Sequence, residues 1–366
     1  MELDAAYRHA TQLWDIHLKE EIEMAQFYGG RWEIVSSLDE GGQAHTFLVR
    51  DKRGADEARY VLKRLKNIKR IERFKREIEA IRNLTHENIL KLIDFDLDAP
   101  KPFLVSEYCV GGSLSQSETI RKRSIEQALN IFIDVCNGVL HAHNNDIIHR
   151  DIKPENIFLR SPTGPAVVGD FGICYFDSKG ERLTLTEEAV GPRLFIAPEL
   201  EDGRIDKISN LSDTYSLGKL LYWLLSGGKV FSREKHRDQK YDLKGHNPLI
   251  TGGWENIFME HANRLLDSMI TDDPNLRINV YEVLEGATKV LRLIGKQYNP
   301  IRKDIKQPCT YCGYGYYQLQ AISSTDVRNF GFNTVGSSEW RIYSCEMCGH
   351  VQAFRLDYAK MKDWWL

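Results

Sequence analysis

The sequence predicts an α+β protein with two lobes, one small and rich in β-strands and the other helical, followed by a small cysteine-rich module. Its 366 residues are enough for a two-lobed domain and a further small module. Strand-like segments such as Trp32–Val35 and Tyr60–Lys63 come early, whereas residues 124–143 carry apolar side chains at helical spacing. Two C-x-x-C pairs lie near the carboxyl terminus.

The composition argues against several classes of protein. Charged residues make up 28% of the chain and the formal net charge is −3, so no overall field favours nucleic acid or a membrane surface. No apolar run approaches the ~20 residues that a membrane span requires. The first residues, MELDAAYRHATQLW, lack a basic region followed by an apolar core, so we expect no secretory signal and a cytoplasmic location.

Residues 1–30 are predicted to form a helical extension that ends at Gly29 and Gly30. The helix either packs onto the lobe that follows or docks on a partner protein. Its apolar residues recur at helical spacing: Leu3, Ala6, Tyr7, Ala10, Leu13, Trp14, His17 and Leu18.

The most informative stretch is His149–Ile157, with the sequence HRDIKPENI, together with the triplet Asp170–Phe171–Gly172. Thirteen residues separate Asn156 from Asp170. A carboxylate, a lysine and an amide lie on one short loop, and a second carboxylate follows on the next turn. Transfer of a γ-phosphoryl group requires such a set, because the attacking hydroxyl must be oriented, the moving phosphate needs positive charge, and Mg²⁺ needs oxygen ligands.

These two motifs resemble the catalytic loop and the metal-binding turn of eukaryotic-type protein kinases. The resemblance implies a two-lobed protein kinase fold with ATP and Mg²⁺ (or Mn²⁺) bound between the lobes and a protein as substrate. It implies that Asp151 orients the substrate hydroxyl and that Lys153 steadies the γ-phosphate. Asn156 and Asp170 would then bind the metal ion.

The resemblance extends to the phosphate-binding parts of the small lobe. The segment YVLK stands in place of the family's V-A-I-K, so Lys63 is expected to hold the α- and β-phosphates and Glu77, on the next helix, to pair with it. Of the three glycines of the glycine-rich loop only the middle one is kept, as Gly41, which is followed by Gly42. Asp39 and Ala44 stand at the first and third glycine positions.

The segment Phe103–Leu114 resembles the hinge that joins the two lobes of a kinase. In the family, the backbone at the positions of Glu107 and Cys109 hydrogen-bonds adenine. Ser106 falls on the gatekeeper position, where a small side chain leaves the back of the nucleotide pocket open. The thiol of Cys109 is expected to be a packed core group rather than a reactive one.

Two features of the large lobe bear on its stability and its substrate. Glu199, in the segment that matches the family's A-P-E, is expected to pair with Arg277. Lys153 in the catalytic loop is typical of serine/threonine kinases, whereas Pro192 directly after Gly191 is more familiar from tyrosine kinases. We give Lys153 more weight, because in the family this lysine contacts the transferred phosphate. We therefore expect serine/threonine specificity.

The segment between Asp170 and Glu199 is the expected activation segment. In the family, the arginine before the catalytic aspartate, here Arg150, receives a phosphate carried by this segment. The hydroxyls available for autophosphorylation are those of Ser178, Thr184 and Thr186.

The four cysteines near the carboxyl terminus resemble the two knuckles of a zinc ribbon, with Zn²⁺ bound by four thiolates. A pair of redox dithiols is the alternative. The stretch between the knuckles is not notably basic, so we do not expect nucleic acid to bind there. The four residues are Cys309, Cys312, Cys345 and Cys348.

The sequence therefore predicts a serine/threonine protein kinase with a carboxyl-terminal zinc ribbon. The alternative is a pseudokinase scaffold that binds partner proteins through the amino-terminal helix and the ribbon, and only the eroded glycine-rich loop favours it. The expected parts are an extension (1–30), a kinase domain (31–295) with lobes 31–108 and 109–295, a linker (296–308) and the ribbon (309–366).

Overall fold

The computed structural model describes residues 27–39, 44–54, 58–116, 123–171, 194–202, 208–243, 255–295, 309, 317–321, 340–345 and 348–355. Several sequence predictions lie outside these residues. They are the helix up to residue 26, Gly41 and Gly42, the activation-segment residues 172–193, the linker 296–308 and Cys312.

The small lobe is built on a six-stranded antiparallel sheet with the strand order β1-β2-β3-β4-β6-β5. One helix, α1 (Ile71–Arg82), packs on it. The strands are β1 (Phe27–Tyr28), β2 (Trp32–Asp39), β3 (Ala44–Asp51), β4 (Arg59–Leu65), β5 (Leu92–Asp96) and β6 (Phe103–Glu107).

The alternation of side chains along β4 decides which residues face α1. Leu62 is paired with Val105 of β6, and both belong to an apolar cluster on one face of the sheet. Lys63 is paired with Leu104, which packs against Phe74 of α1. Because successive side chains of a strand point to opposite faces, the lysine lies on the side of the sheet that α1 covers.

Residues 27 and 28 correct the prediction of a helix up to residue 30, because they form strand β1. Tyr28 pairs with Trp32, and its ring lies 5.7 Å from that of Phe103 and 6.1 Å from that of Phe47. The hairpin turns at Gly29 (φ +54°) and Gly30 (φ +63°), where glycine adopts a positive φ without strain. Aromatic packing on the sheet has therefore overridden the helical pattern at this end of the segment.

The large lobe is helical and is organised around α4 (Asn210–Leu225), in which every residue from Ser212 to Leu225 is buried. Helix α2 (Ile125–His143) packs beside it and starts with a capping box formed by Ser124 and Gln127. The remaining elements are β7 (Ile157–Leu159), β8 (Ala166–Val168), α3 (Pro198–Glu201), α5 (Glu255–Met269) and α6 (Val280–Gly295).

A buried ion pair joins two distant segments of the large lobe and confirms the pairing predicted from the sequence. Arg277 Nη1 donates to Glu199 Oε1 at 2.7 Å, and Nη2 donates to Oε2 at 2.9 Å. Ser212 Oγ also donates to Glu199 Oε1, at 2.7 Å. Burial alone would raise the pKa of Glu199, but the hydrogen bond from Arg277 lowers it below its usual value.

The carboxyl-terminal part contains a three-stranded antiparallel sheet in the order β11-β10-β9, formed by β9 (Tyr317–Ala321), β10 (Trp340–Cys345) and β11 (Val351–Arg355). Just before β11, Gly349 (φ +73°) donates from its backbone N–H to the carbonyl of Cys345 at 2.9 Å. Among the described residues, no helix is both long and apolar enough to span a membrane.

Candidate active site

The catalytic loop is held by one buried carboxylate of α4. Asp213 Oδ2 accepts from the backbone N–H of His149 at 2.8 Å, and Oδ1 accepts from that of Arg150 at 2.7 Å. His143 Nε2 lies 2.7 Å from Asp213 Oδ2. Burial alone would raise the pKa of Asp213, but the hydrogen bond with His143 holds it below its usual value, so the carboxylate stays ionised.

Within the loop, three of the predicted site residues contact one another. Asp151 Oδ2 accepts from Lys153 Nζ at 2.8 Å and from Asn156 Nδ2 at 2.9 Å. The same amide nitrogen of Asn156 also donates to the backbone carbonyl of Asp151 at 2.7 Å. The loop therefore presents a carboxylate whose second oxygen makes no hydrogen bond with the described residues.

A second group of predicted residues meets where the two lobes face each other. Lys63 Nζ lies 3.0 Å from Glu77 Oε1 and 2.7 Å from Asp170 Oδ1. Burial alone would lower the pKa of Lys63, but the two carboxylates raise it above its usual value. Burial would also raise the pKa of Asp170, whereas Lys63 lowers it, so the geometry favours the charged forms of both groups.

The residues around Asp170 link this group to the catalytic loop. His149 Nε2 lies 3.0 Å from the carbonyl oxygen of Gly169. The ring of Phe171 is buried and lies 4.7 Å from the ring of His149. Asp170 itself has a positive φ of +48°, an uncommon backbone conformation for a residue with a side chain. The carboxylate thus reaches Lys63 from a turn that packing on His149 holds in place.

The segment between the lobes has a free backbone donor at the expected position. The N–H of Cys109 makes no hydrogen bond within the part of the chain that the structure describes, while its carbonyl accepts from Gly112 N at 3.0 Å. The thiol is buried, which together with Glu107 raises its pKa to about 12, so it is a neutral packing group. Ser106 is buried on β6, opposite Val61 of β4.

Comparison with known proteins agrees with this geometry. The family model described as protein kinase domain matches residues 32–287. The chain belongs to the protein kinase family. The matched range includes both lobes with the lysine of β4, the catalytic loop and the Glu199–Arg277 pair.

Curated relatives are kinases from distant organisms. The chain is 31% identical to the serine/threonine-protein kinase PrkC of Bacillus subtilis (strain 168), over 71% of this chain and 40% of that protein. It is 30% identical to calcium-dependent protein kinase 4 of Plasmodium falciparum (isolate 3D7), over 70% and 49% of the two chains. It is 28% identical to Aurora kinase A-A of Xenopus laevis, over 73% and 64%. The chain thus spans about 40–64% of the length of these relatives.

Outside the kinase domain, three of the four predicted metal ligands converge. The Sγ atoms of Cys309, Cys345 and Cys348 lie within 4.8 Å of one another, and those of Cys309 and Cys348 are 3.7 Å apart. His350 Nδ1 lies 3.9 Å from Cys309 Sγ and 2.8 Å from the hydroxyl of Tyr317.

Two contacts of the kinase domain escaped the sequence analysis. The first is made by Asp213, which contacts His143 and the backbone N–H groups of His149 and Arg150. Glu107 was noted for its backbone, yet its carboxylate accepts two hydrogen bonds of 2.9 Å from Arg160 and one of 2.9 Å from the N–H of Lys91. The backbone groups involved leave no mark in a sequence, so only the fold could reveal these contacts.

Proposed function

We propose that this chain transfers the γ-phosphoryl group of ATP to serine or threonine hydroxyls of protein substrates. The observation that carries the proposal is that two groups of charged and polar side chains are held together, and the contact of His149 with the carbonyl of Gly169 links one to the other. One group consists of Lys63, Glu77 and Asp170, and the other of Asp151, Lys153 and Asn156. Phosphoryl transfer needs little covalent chemistry from a protein and depends on positioning and electrostatic stabilisation, which these groups supply.

Each side chain has a role that its contacts support. Asp151 keeps one carboxylate oxygen for the substrate hydroxyl, which it orients and whose proton it accepts. Lys153 neutralises charge on the transferred phosphate from a position beside that carboxylate. Lys63, held by Glu77, binds the α- and β-phosphates, and the N–H of Cys109 together with the carbonyl of Glu107 contacts adenine.

The residues present fit a divalent metal ion. Asp170 and Asn156 offer oxygen ligands, which Mg²⁺ prefers and Mn²⁺ accepts. Asn156 uses its side-chain nitrogen Nδ2 for Asp151, so its side-chain oxygen Oδ1 remains without a hydrogen bond from the described residues. A bound Mg²⁺ or Mn²⁺ would neutralise charge on the phosphates. Gly41 and Gly42 would approach the same phosphates through their backbone.

Serine/threonine specificity and autophosphorylation belong to this proposal. Lys153 favours serine and threonine, and the relative PrkC carries that specificity in its name. Arg150 supports a phosphate-receiving site on the activation segment, since its Nε is buried and has no hydrogen-bond partner among the described residues. The candidate acceptors remain Ser178, Thr184 and Thr186. Apart from the eroded glycine-rich loop, no observation favours the pseudokinase alternative.

We further propose that residues 309–366 form a structural zinc ribbon after the linker 296–308. Sulfur atoms bound at ~2.3 Å to one tetrahedral zinc ion lie ~3.8 Å apart, close to the 3.7 Å between Cys309 and Cys348. Cys345 and Cys312 would complete the set. Four thiolates leave no open position, so the zinc stabilises the module and takes no part in catalysis. A cytoplasmic location, where thiols stay reduced, suits this site.

The decisive experiment compares the wild type with Asp151→Asn in a radiolabelled ATP assay with Mg²⁺, using a general protein substrate. The variant should lose at least ~100-fold in rate because a positioned charge is removed. Glu155→Gln, an isosteric change on the same loop, is the matched control for folding, and ATP binding should survive in both variants. Equal rates for Asp151→Asn and the wild type would refute the kinase proposal.

A further inference from the structure

The small lobe has a cavity whose lining includes none of the candidate catalytic residues. It has a volume of about 610 Å³ and is lined by the end of α1, the loop from α1 to β5, β5 itself and Arg160. We call it the α1–β5 cavity. We propose that the amino-terminal segment, residues 1–26, docks into the α1–β5 cavity of its own chain through its apolar stripe.

Six apolar side chains line the cavity, together with charged side chains of both signs. The apolar residues that line it are Ile81, Leu84, Ile89, Leu92, Ile93 and Phe95. Among its charged lining residues, Asp94 pairs with Arg31 and Arg160 pairs with Glu107. Two cations, Arg82 and Lys91, and one carboxylate, Glu87, are left without an ion pair among the described residues, an excess of one positive charge. A complementary occupant therefore needs large apolar side chains and acidic groups around them.

The sequence of the amino-terminal segment has both properties. Leu3, Tyr7, Ala10, Trp14 and Leu18 recur at spacings of three and four, so they share one face if the segment is helical. The segment carries two basic and six acidic residues, a formal charge of −4, with the acids at Glu2, Asp4, Asp15, Glu20, Glu21 and Glu23. Tyrosine and tryptophan are the side chains that bury the most area for few rotatable bonds.

The chain reaches the small lobe next to the cavity. Arg31 Nη1 lies 3.2 Å from Asp94 Oδ2, and Trp32 Nε1 donates to the same oxygen at 2.8 Å. Asp94 lines the cavity, and its neighbour Ile93 both lines the cavity and packs against the cluster that contains Tyr28. The segment ends five residues before Arg31, and a helix of ~20 residues is ~30 Å long, so the cavity lies within its reach.

The short connection favours the same chain over another molecule. A ligand joined by a short linker meets its site at an effective concentration in the millimolar range, which a separate partner would have to exceed. Docking would also place an apolar side chain against Ile81 and Leu84, at the end of the helix that carries Glu77. The segment thereby braces α1 in the position in which Glu77 contacts Lys63.

The experiment places the photo-crosslinker p-benzoylphenylalanine at position 14 of the full-length chain, where it keeps an aromatic side chain. The matched control carries it at position 12, which lies ~160° away around a helix at 3.6 residues per turn. Equal amounts of ¹⁵N-labelled and unlabelled chain are mixed before irradiation. We expect crosslinks from position 14 to residues 81–95 or to Arg160, formed within single chains, and few or none to these residues from position 12.

Two other outcomes would overturn the proposal. Crosslinks that join labelled to unlabelled chains would assign the cavity to a second copy. Crosslinks to residues other than 81–95 and Arg160, or equal yields from both positions, would show that the segment does not occupy the cavity.

Hydrogen exchange of the full chain provides a second measurement that does not need the crosslinker. Trp14→Asp should accelerate exchange of the amides of residues 84–95 by about tenfold, which corresponds to ~1.4 kcal/mol, while Gln12→Asp should leave them unchanged. Equal protection in both variants would also contradict docking. Neither measurement depends on catalytic activity.

Discussion

Replacement of Arg277 by glutamine should lower the free energy of unfolding by about 3–5 kcal/mol, because it leaves a carboxylate buried without its partner. The side chains of Arg277 and Glu199 are 0% and 1% exposed, so water cannot replace the lost contacts. The hydroxyl of Ser212 would still donate to the carboxylate. Arg277 also donates to the carbonyls of Leu211 and Thr271, at 3.0 and 2.9 Å, and both would lose this donor. The decrease in the free energy of unfolding should therefore lie toward the upper end of that range.

The pH dependence of this loss follows from the pKa of Glu199. In the wild type this pKa is lowered, so the carboxylate contributes stability above its unfolded pKa and loses it as the pH falls through the folded pKa. Without Arg277, burial raises the folded pKa, and protonation relieves the penalty as the pH falls. The difference in stability between wild type and variant should therefore be largest at neutral pH and narrow toward about pH 4.

Urea unfolding followed by far-ultraviolet circular dichroism at pH 7 and pH 4 measures this difference. Arg233→Gln is the matched control, because Arg233 forms ion pairs of 3.1 and 3.9 Å with Glu201 and Asp202 but is 43% exposed. The control should lose only about 0–1 kcal/mol. If both variants lose the same stability, or if the Arg277→Gln deficit is equal at the two pH values, the buried carboxylate does not behave as reasoned.

Three further predictions concern other parts of the chain. Burial, and then Arg233, lower the pKa of Lys219 to about 7, although Asp272 opposes this shift. Above pH 7 the unfolded state therefore holds a proton that the folded state has lost, and the free energy of unfolding should rise by up to ~1.4 kcal/mol per pH unit. Lys219→Met should lack this slope in urea unfolding, and an unchanged slope would refute the assignment. Arg160→Gln should raise the KM for ATP about fivefold while the protein still folds without ATP, because Glu107 loses two hydrogen bonds worth ~1 kcal/mol. An unaltered KM in steady-state assays would contradict this prediction. Cys348→Ser should remove one zinc per chain in elemental analysis and expose residues ~305–366 to limited proteolysis, whereas an unchanged metal content would exclude the site.

The sequence was most informative where a local motif coincides with a chemical role. The strand pattern around Lys63 and the helical pattern around Glu77 put both on facing surfaces, and the structure brings them to 3.0 Å. Glu199 and Arg277, 78 residues apart, could be paired because each belongs to a recognisable motif. The predicted end of the amino-terminal helix was wrong, because the packing of Tyr28 on two aromatic rings produces no periodic pattern in the sequence.

What the sequence could not supply is the support beneath the catalytic loop. Asp213 acts on backbone N–H groups 64 and 63 residues before it, at His149 and Arg150, and a backbone group has no sequence signature. Arg150 adopts a positive φ of +66°, an uncommon conformation that these two hydrogen bonds hold. Because the bonds fix the residue directly before Asp151, the position of that carboxylate depends on a charge buried in the central helix. A short motif in the sequence thus identifies the catalytic residues, but the position of the loop that carries them depends on Asp213, which only folding brings into contact with it.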